Sequence, residues 1–168
     1  GYSIYSATIL SGTHMNGEYK GWASTVWDHE WLIGGAFDES PTSGWSSAVN
    51  VYPPHICGIE LPSKIVLTQY RLKPYSNTLS GPKTFFVEGS NDGTTWTQLD
   101  HQQNYTSWVA TQYAIFDLAN PSNTPYKSFR WRITEVNGAA YVAINDIQLF
   151  GSEVTAFPTL STLRTTLT

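Results

Sequence analysis

The fold is decided by residues 84–99, which read TFFVEGSNDGTTWTQL. A run of β-favouring residues ends at Gly89, a turn cluster follows at residues 90–93, and a second run containing Trp96 comes after it. Asn, Asp and Gly tolerate positive φ angles, so the order Asn-Asp-Gly between two such runs is a strong signal for a tight hairpin turn. The stretch therefore predicts two antiparallel β-strands.

Runs of the same kind lie on both sides of this hairpin. They alternate with turn clusters and none keeps a helical period, which predicts an all-β chain. In residues 129–134 apolar residues alternate with basic ones, so one face of that strand is expected to be buried and the other to face water. Residues 19–45 show little alternation and are expected to form long loops around one short strand. The predicted strands are residues 65–72, 84–89, 95–99, 113–118, 129–134 and 143–150, with turns at residues 61–63 and 137–138.

The composition is that of one domain with a polar but weakly charged surface. The chain has 168 residues, a net charge of −4 and only 13% charged residues, and this length is typical of a single domain. No Lys/Arg cluster is dense enough to bind nucleic acid by counterion release, so we expect no nucleic-acid partner. No apolar run approaches the roughly 18 residues of a membrane span. A neutral polar surface with many aromatic residues favours an extracellular, cell-surface or virion-surface location.

Four residues in strand-like segments are predicted to be buried. Cys57 is the only cysteine and cannot form an internal disulfide, so we expect a small buried apolar side chain. Trp45, Trp96 and Trp131 lie in strand-like stretches and are expected to belong to the hydrophobic core.

Catalytic residues are not indicated by any motif. Asp28 with Glu30, or Asp38 with Glu39, are acidic neighbours, but glycosidases hold two carboxyl groups on opposite sides of the scissile bond. The chain has no G-x-S-x-G element and no Gly-rich phosphate loop before a helix. We therefore expect that the chain is not an enzyme.

Three stretches, in chain order, resemble the discoidin family, whose members are also called F5/8 type C domains. Residues 85–96 are similar to the family's central signature of a strand, S-x-D-G and a Trp. Residues 129–151 resemble its last two strands, and residues 36–45, AFDESPTSGW, resemble its A-x-D-G-N-x-x-T-x-W element. The resemblance, nearest to the carbohydrate-binding branch, implies an eight-stranded antiparallel jelly-roll β-sandwich with function in the loops at one end. We expect this domain to cover residues 1–152 and a Thr-rich C-terminal tail or linker to cover residues 153–168.

The resemblance also implies a structural Ca²⁺, held by the loop at residues 36–45 and an acid near the C terminus, with oxygen ligands as this cation prefers. Glu39 stands where the family has Gly, Ser40 where it has Asn or Asp, and Ser43 where it has Thr. Because only Gly takes positive φ freely, the change at residue 39 is expected to alter the loop's backbone path. The alternative is that Asp38 and Asp146 only cap turns. By position, the implied ligands are the Ala36 carbonyl, Asp38, Ser40, Ser43 and Asp146.

Sugar binding needs aromatic faces for the apolar side of a pyranose ring and planar polar groups for its hydroxyls. Tyr141 lies where sugar-binding relatives carry a stacking aromatic residue. The loop after residue 72 resembles the place where those relatives carry an Arg and an Asn. No Arg stands there in this chain, which leaves Lys73 or Arg71, with Asn77 as partner. The predicted ligand-binding residues are Trp27, Asp28, His29, Trp31, Lys73, Tyr75, Asn77 and Tyr141.

The leading interpretation is a non-catalytic, lectin-like module for carbohydrate binding or cell adhesion. Its partner would be a glycan or glycoprotein, and its host a larger multidomain or oligomeric protein, such as a secreted enzyme, a cell-surface adhesin or a viral attachment protein. One alternative is a phospholipid-binding discoidin domain, which the acidic polar loops and negative charge disfavour, because such domains use Lys and Arg to reach anionic lipid. The other alternative is a structural protein–protein interaction module.

Overall fold

The computed structural model describes residues 3–6, 15–16, 19–28, 32–119, 121 and 123–153. These residues form antiparallel strands and two short 3₁₀ helices, so the predicted all-β class is confirmed. Within the described ranges, no helix has the length and apolar character needed to cross a bilayer. Most of the predicted C-terminal tail, from residue 154 on, lies outside the described residues. The strands are β1 (Ser3–Ser6), β2 (Met15–Asn16), β3 (Tyr19–Ala23), β4 (Trp45–Ser46), β5 (His55–Lys73), β6 (Pro82–Ser90), β7 (Thr97–Gln102), β8 (Ala114–Asp117), β9 (Tyr126–Val136), β10 (Ala143–Ile144) and β11 (Asp146–Glu153), and the 3₁₀ helices are Ile33–Phe37 and Thr78–Ser80.

The long strand β5 belongs to both layers of the sandwich. Its first part, up to Glu60, pairs with β3 and β9, and its second part, from Ile65, pairs with β11 and β8, while Ile65 itself also lies opposite Tyr126 of β9. Cys57 is opposite Trp131, yet the ring of Tyr70 also lies 6.1 Å from the Trp131 ring. A straight strand from residue 57 to residue 70 would span about 40 Å, so the chain doubles back between the two parts. The reversal predicted at residues 61–63 is therefore present, although the strand is not interrupted.

The remaining strands extend the two layers. In the first layer β9 pairs with β6 and β6 with β7, so that the predicted hairpin is formed by β6 and β7. In the second layer β1 pairs with β11, and Ser3 is opposite Gly151. β11 starts opposite the end of β5 at Lys73 and finishes opposite Ile65, near the reversal of β5. The first and last described strands are thus neighbours at one edge of the sandwich.

The core lies between the layers and is rich in aromatic rings. Tyr70 and Phe116 of the second layer stack with ring centroids 4.9 Å apart. They meet Phe85 of the first layer edge-on, at 6.4 Å and 5.8 Å, a geometry that the charge distribution of the rings favours. The Tyr70 hydroxyl donates to Asp100 Oδ2 at 2.6 Å, and burial raises the pKa of this hydroxyl, so it remains a donor. Cys57 is buried, as predicted.

A two-stranded ribbon of β4 and β10 connects the loops at the end opposite the β5 reversal. Ser46 pairs with Ala143, and the ribbon continues where Asn50 N donates to the Ala140 carbonyl at 3.1 Å. The fully buried Trp45 donates from its Nε1 to the Thr25 carbonyl at 2.9 Å. Residues 25–28, 45–50 and 139–144 are therefore held together as one unit at the loop end.

Candidate ligand-binding site

A cleft of about 200 Å³ opens at this loop end. Four of the residues predicted from the sequence to bind a ligand line it, namely Trp27, Tyr75, Asn77 and Tyr141. They come from three separate loops, so the fold rather than proximity in the chain brings them together. The other residues that line the cleft are Ser46, Ser76, Ser80 and Ala143.

Aromatic rings and one amide give the cleft its chemistry. The Trp27 side chain is 55% exposed, which leaves apolar ring surface open to a ligand. Asn77 Nδ2 donates to the Tyr141 hydroxyl at 3.4 Å, while Asn77 Oδ1 accepts from the Leu79 amide at 3.2 Å and so fixes the orientation of the side chain. A hydrogen bond as long as 3.4 Å is weak. A ligand hydroxyl can therefore compete for the Asn77 amide.

Tyr75 offers the cleft its ring rather than its hydroxyl. The hydroxyl is buried beneath the neighbouring loop, where a Cβ on Gly44 would clash with it. Burial raises the pKa of Tyr75, so the hydroxyl keeps its proton. Tyr75 thus joins the floor of the cleft to the loop at residues 36–45.

The other predicted binding residues are placed elsewhere. Lys73 Nζ lies 4.9 Å from the centroid of the Tyr113 ring, and the Arg71 guanidinium lies 4.3 Å from that of Phe150, so neither cation lines the cleft. Asp28 is exposed and is not among the lining residues. His29 and Trp31 lie outside the described residues. The described lining carries no charged side chain.

The loop at residues 36–45 keeps a left-handed turn without the family's glycine. Glu39 has a φ of +54°, a left-handed conformation that strains a residue with a Cβ. The Glu39 amide donates to Asp146 Oδ1 at 3.2 Å. The Asp38 carboxylate accepts from the Ser40 amide at 2.9 Å and from the Ser43 hydroxyl at 2.5 Å. Asp38 thus caps the turn of its own loop, and Asp146 binds the backbone of the same loop from β11.

Asn145 holds the inner side of this loop. It is only 2% exposed, and its Nδ2 donates to the carbonyl oxygens of Ser43 at 2.5 Å, Ser40 at 3.3 Å and Pro41 at 3.5 Å. A calcium ion at the point where these oxygens converge would have to displace the amide. As placed, the residues do not fit the ion, and calcium binding stays a prediction for experiment. In the described ranges no three His, Cys, Asp or Glu side chains form a group that could hold a metal.

Asp146 and Ala36, the other implied ligands of the ion, are both fully buried. Asp146 Oδ2 accepts from the Tyr113 hydroxyl at 2.5 Å. Burial raises the pKa of Asp146 to about 6, although the hydrogen bonds from Tyr113 and the Glu39 amide act in the opposite direction. Ala36 lies in the first 3₁₀ helix.

Sequence reasoning missed the serines of the cleft. No motif singles out Ser46, Ser76 or Ser80, and only tertiary pairing brings them beside the aromatic residues. For Ser46 the pairing is that of β4 with β10, which sets it opposite Ala143. The sequence could have indicated Ser46 only if β4 and β10, which are two residues long and far apart in the chain, had been recognised as paired strands.

Comparison with known proteins gives one family and one fold. The model of the F5/8 type C domain family matches residues 20–146. No curated protein has a matching sequence.

Among solved structures, a CBM32 module of Clostridium perfringens in complex with GalNAc-β-1,3-galactose is 16% identical, with a TM-score of 0.69 over 80% of this chain and 96% of the module. The family 32 carbohydrate-binding module of C. perfringens NanJ, in complex with galactose, is 12% identical, with a TM-score of 0.67 over 79% and 93%. A chitosan-binding module from a Paenibacillus chitosanase/glucanase is 19% identical, with a TM-score of 0.68 over 80% and 96%.

Proposed function

The chain belongs to the F5/8 type C, or discoidin, domain family, and from this premise we propose that it is a non-catalytic carbohydrate-binding module. The observation that carries the proposal is the cleft in which Trp27, Tyr75, Asn77 and Tyr141 meet. Modules of the same fold support it, because two of them are in complex with galactose or GalNAc-β-1,3-galactose and a third is named for binding chitosan.

The chemistry of the cleft fits a neutral sugar. A pyranose has an apolar C–H face and a rim of hydroxyl groups, so it is bound by aromatic rings together with a few hydrogen-bonding groups. Trp27 and Tyr141 supply the rings, and the Asn77 amide with the cleft serines supplies the hydrogen-bonding groups. Because the described lining carries no charge, nothing there would pair with the carboxylate of an acidic sugar. We therefore assign the cleft to an uncharged sugar residue.

The proposed setting is outside the cell or on a virion surface, within a larger protein that uses the module for attachment. The support is compositional, since only 13% of residues are charged while aromatic side chains such as Trp27 stand exposed at the loop end.

Phospholipid binding is the second candidate, because several apolar side chains are exposed near the loop end. Val49 and Val51 are 42% and 41% exposed, and Leu79 is 55% exposed. Membrane-binding surfaces of this kind gain affinity from Lys and Arg close to anionic lipid. No Lys or Arg lines the cleft in the described part of the chain, so the carbohydrate proposal is preferred.

A glycan array probed with the full chain tests the proposal, followed by calorimetry with the best ligand. We expect a neutral glycan to bind, and Tyr141→Ala to weaken it by about tenfold or more, which corresponds to the loss of about 1.4 kcal/mol. Ile115→Ala is the matched control, because Ile115 is also an exposed apolar residue, at 55%, but lies on β8 away from the cleft.

The proposal is wrong if no glycan is retained, or if Tyr141→Ala binds as tightly as the wild type while the control behaves normally. Sedimentation with phosphatidylserine vesicles in parallel separates the two candidates. Binding to vesicles without binding to any glycan would favour the phospholipid function.

A further inference from the structure

A second concavity, here called the groove, lies directly beside the cleft. It has a volume of about 450 Å³ and is lined by Asn50, Tyr52, His55 and residues 138–140, among others. Ala140 lines the groove and the next residue, Tyr141, lines the cleft. On the facing segment, Asn50 lines the groove and Ser46 the cleft. The two hollows therefore share a wall, formed by residues 46–50 and 140–141.

Tyr52 is the most exposed large apolar side chain of the described residues, at 90%. Its ring therefore buries almost nothing against the protein itself. The loop that carries it is constrained on both sides, by Asn50 in a left-handed conformation with φ +61° and by Pro53 and Pro54, whose rings fix φ. A loop constrained in this way loses less backbone conformational entropy when a ligand covers the Tyr52 ring. Tyr52 thus has the properties of a prepared stacking surface.

Polar groups are also present in the groove. His55 lines it and is 2% exposed, and within the described residues its Nδ1 has no hydrogen-bond partner. Buried polar atoms without a hydrogen-bond partner are rare in folded proteins, so His55 Nδ1 is a candidate acceptor for a ligand hydroxyl. Asn50 also lines the groove and adds an amide side chain. The described lining of the groove, like that of the cleft, carries no Lys, Arg, Asp or Glu.

We propose that the protein binds a neutral glycan of at least two sugar units, the first in the cleft and the second in the groove, where it stacks on Tyr52. The inference rests on the proposed function, since it extends the same ligand across the shared wall. An uncharged sugar is the occupant that suits both hollows, because each combines exposed aromatic surface with neutral hydrogen-bonding groups. Because the two hollows share a wall, one chain of linked sugar rings fits them better than two separate ligands do.

The test compares affinities for short and longer sugars on three proteins. The probes are galactose with GalNAc-β-1,3-galactose, and N-acetylglucosamine with its β-1,4-linked dimer and trimer, all of which are uncharged. In the series that binds, we expect the wild type to prefer the disaccharide over the monosaccharide by about tenfold. Tyr52→Ala is expected to abolish this preference and leave the monosaccharide affinity unchanged. Tyr52→Phe, which keeps the ring, is expected to retain the preference.

The outcomes distinguish this inference from the function on which it rests. A wild type that binds neither series and no glycan on an array overturns both. Binding of monosaccharide and disaccharide with equal affinity overturns only the two-site inference, as does a Tyr52→Ala variant that keeps the preference or loses affinity equally for both. Because Tyr52 is 90% exposed, its removal is expected to leave the melting temperature unchanged, and Val109→Ala serves as a second exposed control.

Discussion

Asn145→Ala removes the amide that holds the loop at residues 36–45, and we expect a large loss of stability. The hydrogen bond to the Ser43 carbonyl, at 2.5 Å, is the strong one, and those to Ser40 and Pro41 are long. The strong hydrogen bond contributes about 1 kcal/mol net, and the buried acceptors left without a donor cost about 1–3 kcal/mol. The free energy of unfolding therefore falls by about 2–4 kcal/mol. In a domain of this size, that lowers the melting temperature by about 5–15 °C.

Asn145→Asp provides the sharper form of the same test. The new carboxylate would face three carbonyl oxygens and lie close to Asp38 and Asp146, so repulsion is expected to make this variant less stable than Asn145→Ala at neutral pH. The same change creates an oxygen-lined, acidic site of the kind that suits calcium. Calcium at 100 times its dissociation constant would raise the free energy of unfolding of this variant by about 2.7 kcal/mol. We expect calcium chloride to stabilise Asn145→Asp and to leave the wild type unchanged.

Thermal unfolding followed by circular dichroism, in excess EDTA or excess calcium chloride, measures all three proteins. The role given to Asn145 is refuted if EDTA lowers the melting temperature of the wild type, because calcium would then hold the loop with the ligands implied by the family resemblance. It is equally refuted if Asn145→Ala is as stable as the wild type.

Three further predictions concern single residues. Glu39→Gly is expected to raise the free energy of unfolding by about 1 kcal/mol, because the left-handed region costs a non-glycine residue about 1–2 kcal/mol. Urea unfolding measures this change, and the control variant Glu39→Ala is expected to show no increase. Burial lowers the pKa of His55, so below pH 6.5 the unfolded chain takes up a proton that the folded chain resists, and the contribution of His55 to stability declines as the pH falls, against the opposite contribution of Asp146, whose pKa is raised to about 6. His55→Gln is expected to flatten this decline in urea midpoints between pH 7.5 and 5, and an unchanged slope would contradict it. Trp27→Ala is expected to weaken glycan binding in calorimetry with an unchanged melting temperature, because the ring is 55% exposed; a large drop in melting temperature would instead make it a structural residue.

The hairpin could be predicted from the sequence because its stabilising contacts are local. The Ser90 hydroxyl accepts from the Gly93 amide at 2.9 Å. Asp92 Oδ1 accepts from the amides of Thr94 and Thr95 at 2.8 Å and 2.7 Å, and these bonds hold the pKa of Asp92 below its usual range. These partners lie within three residues, so the composition of the turn predicts it, while the contacts of Asn91 with Pro125 and Lys127 are long-range.

Contacts between distant residues were predictable only in part. The family resemblance located the carboxylates of Asp38 and Asp146, but not the Asn145 amide, whose partners lie more than 100 residues away in the chain. Nothing in the local sequence marks an asparagine as a donor to three carbonyl groups.

Trp96 is a similar case, and the prediction that it belongs to the core is wrong. It is half-buried, covered by the Arg130 guanidinium at 4.3 Å and by the Trp22 ring at 5.8 Å. Trp45 and Trp131 are fully buried, as predicted. Trp96 follows the hairpin turn rather than lying within a strand, and its position depends on side chains of β3 and β9 that a local pattern does not show.

The pairing of β1 with β11 determines how this module can be displayed. Ser3 is opposite Gly151, and the Ser63 hydroxyl donates to the Glu153 carboxylate at 3.4 Å, so the first and last described strands reach the pole where β5 reverses. The cleft and the groove lie at the other pole, about 25 Å away along the eight residues of β11. In the setting proposed above, a host protein joined close to either strand would lie at the pole farthest from the cleft and the groove. Several copies on one scaffold could then engage a glycan-coated surface together, and weak individual contacts would add up to high avidity.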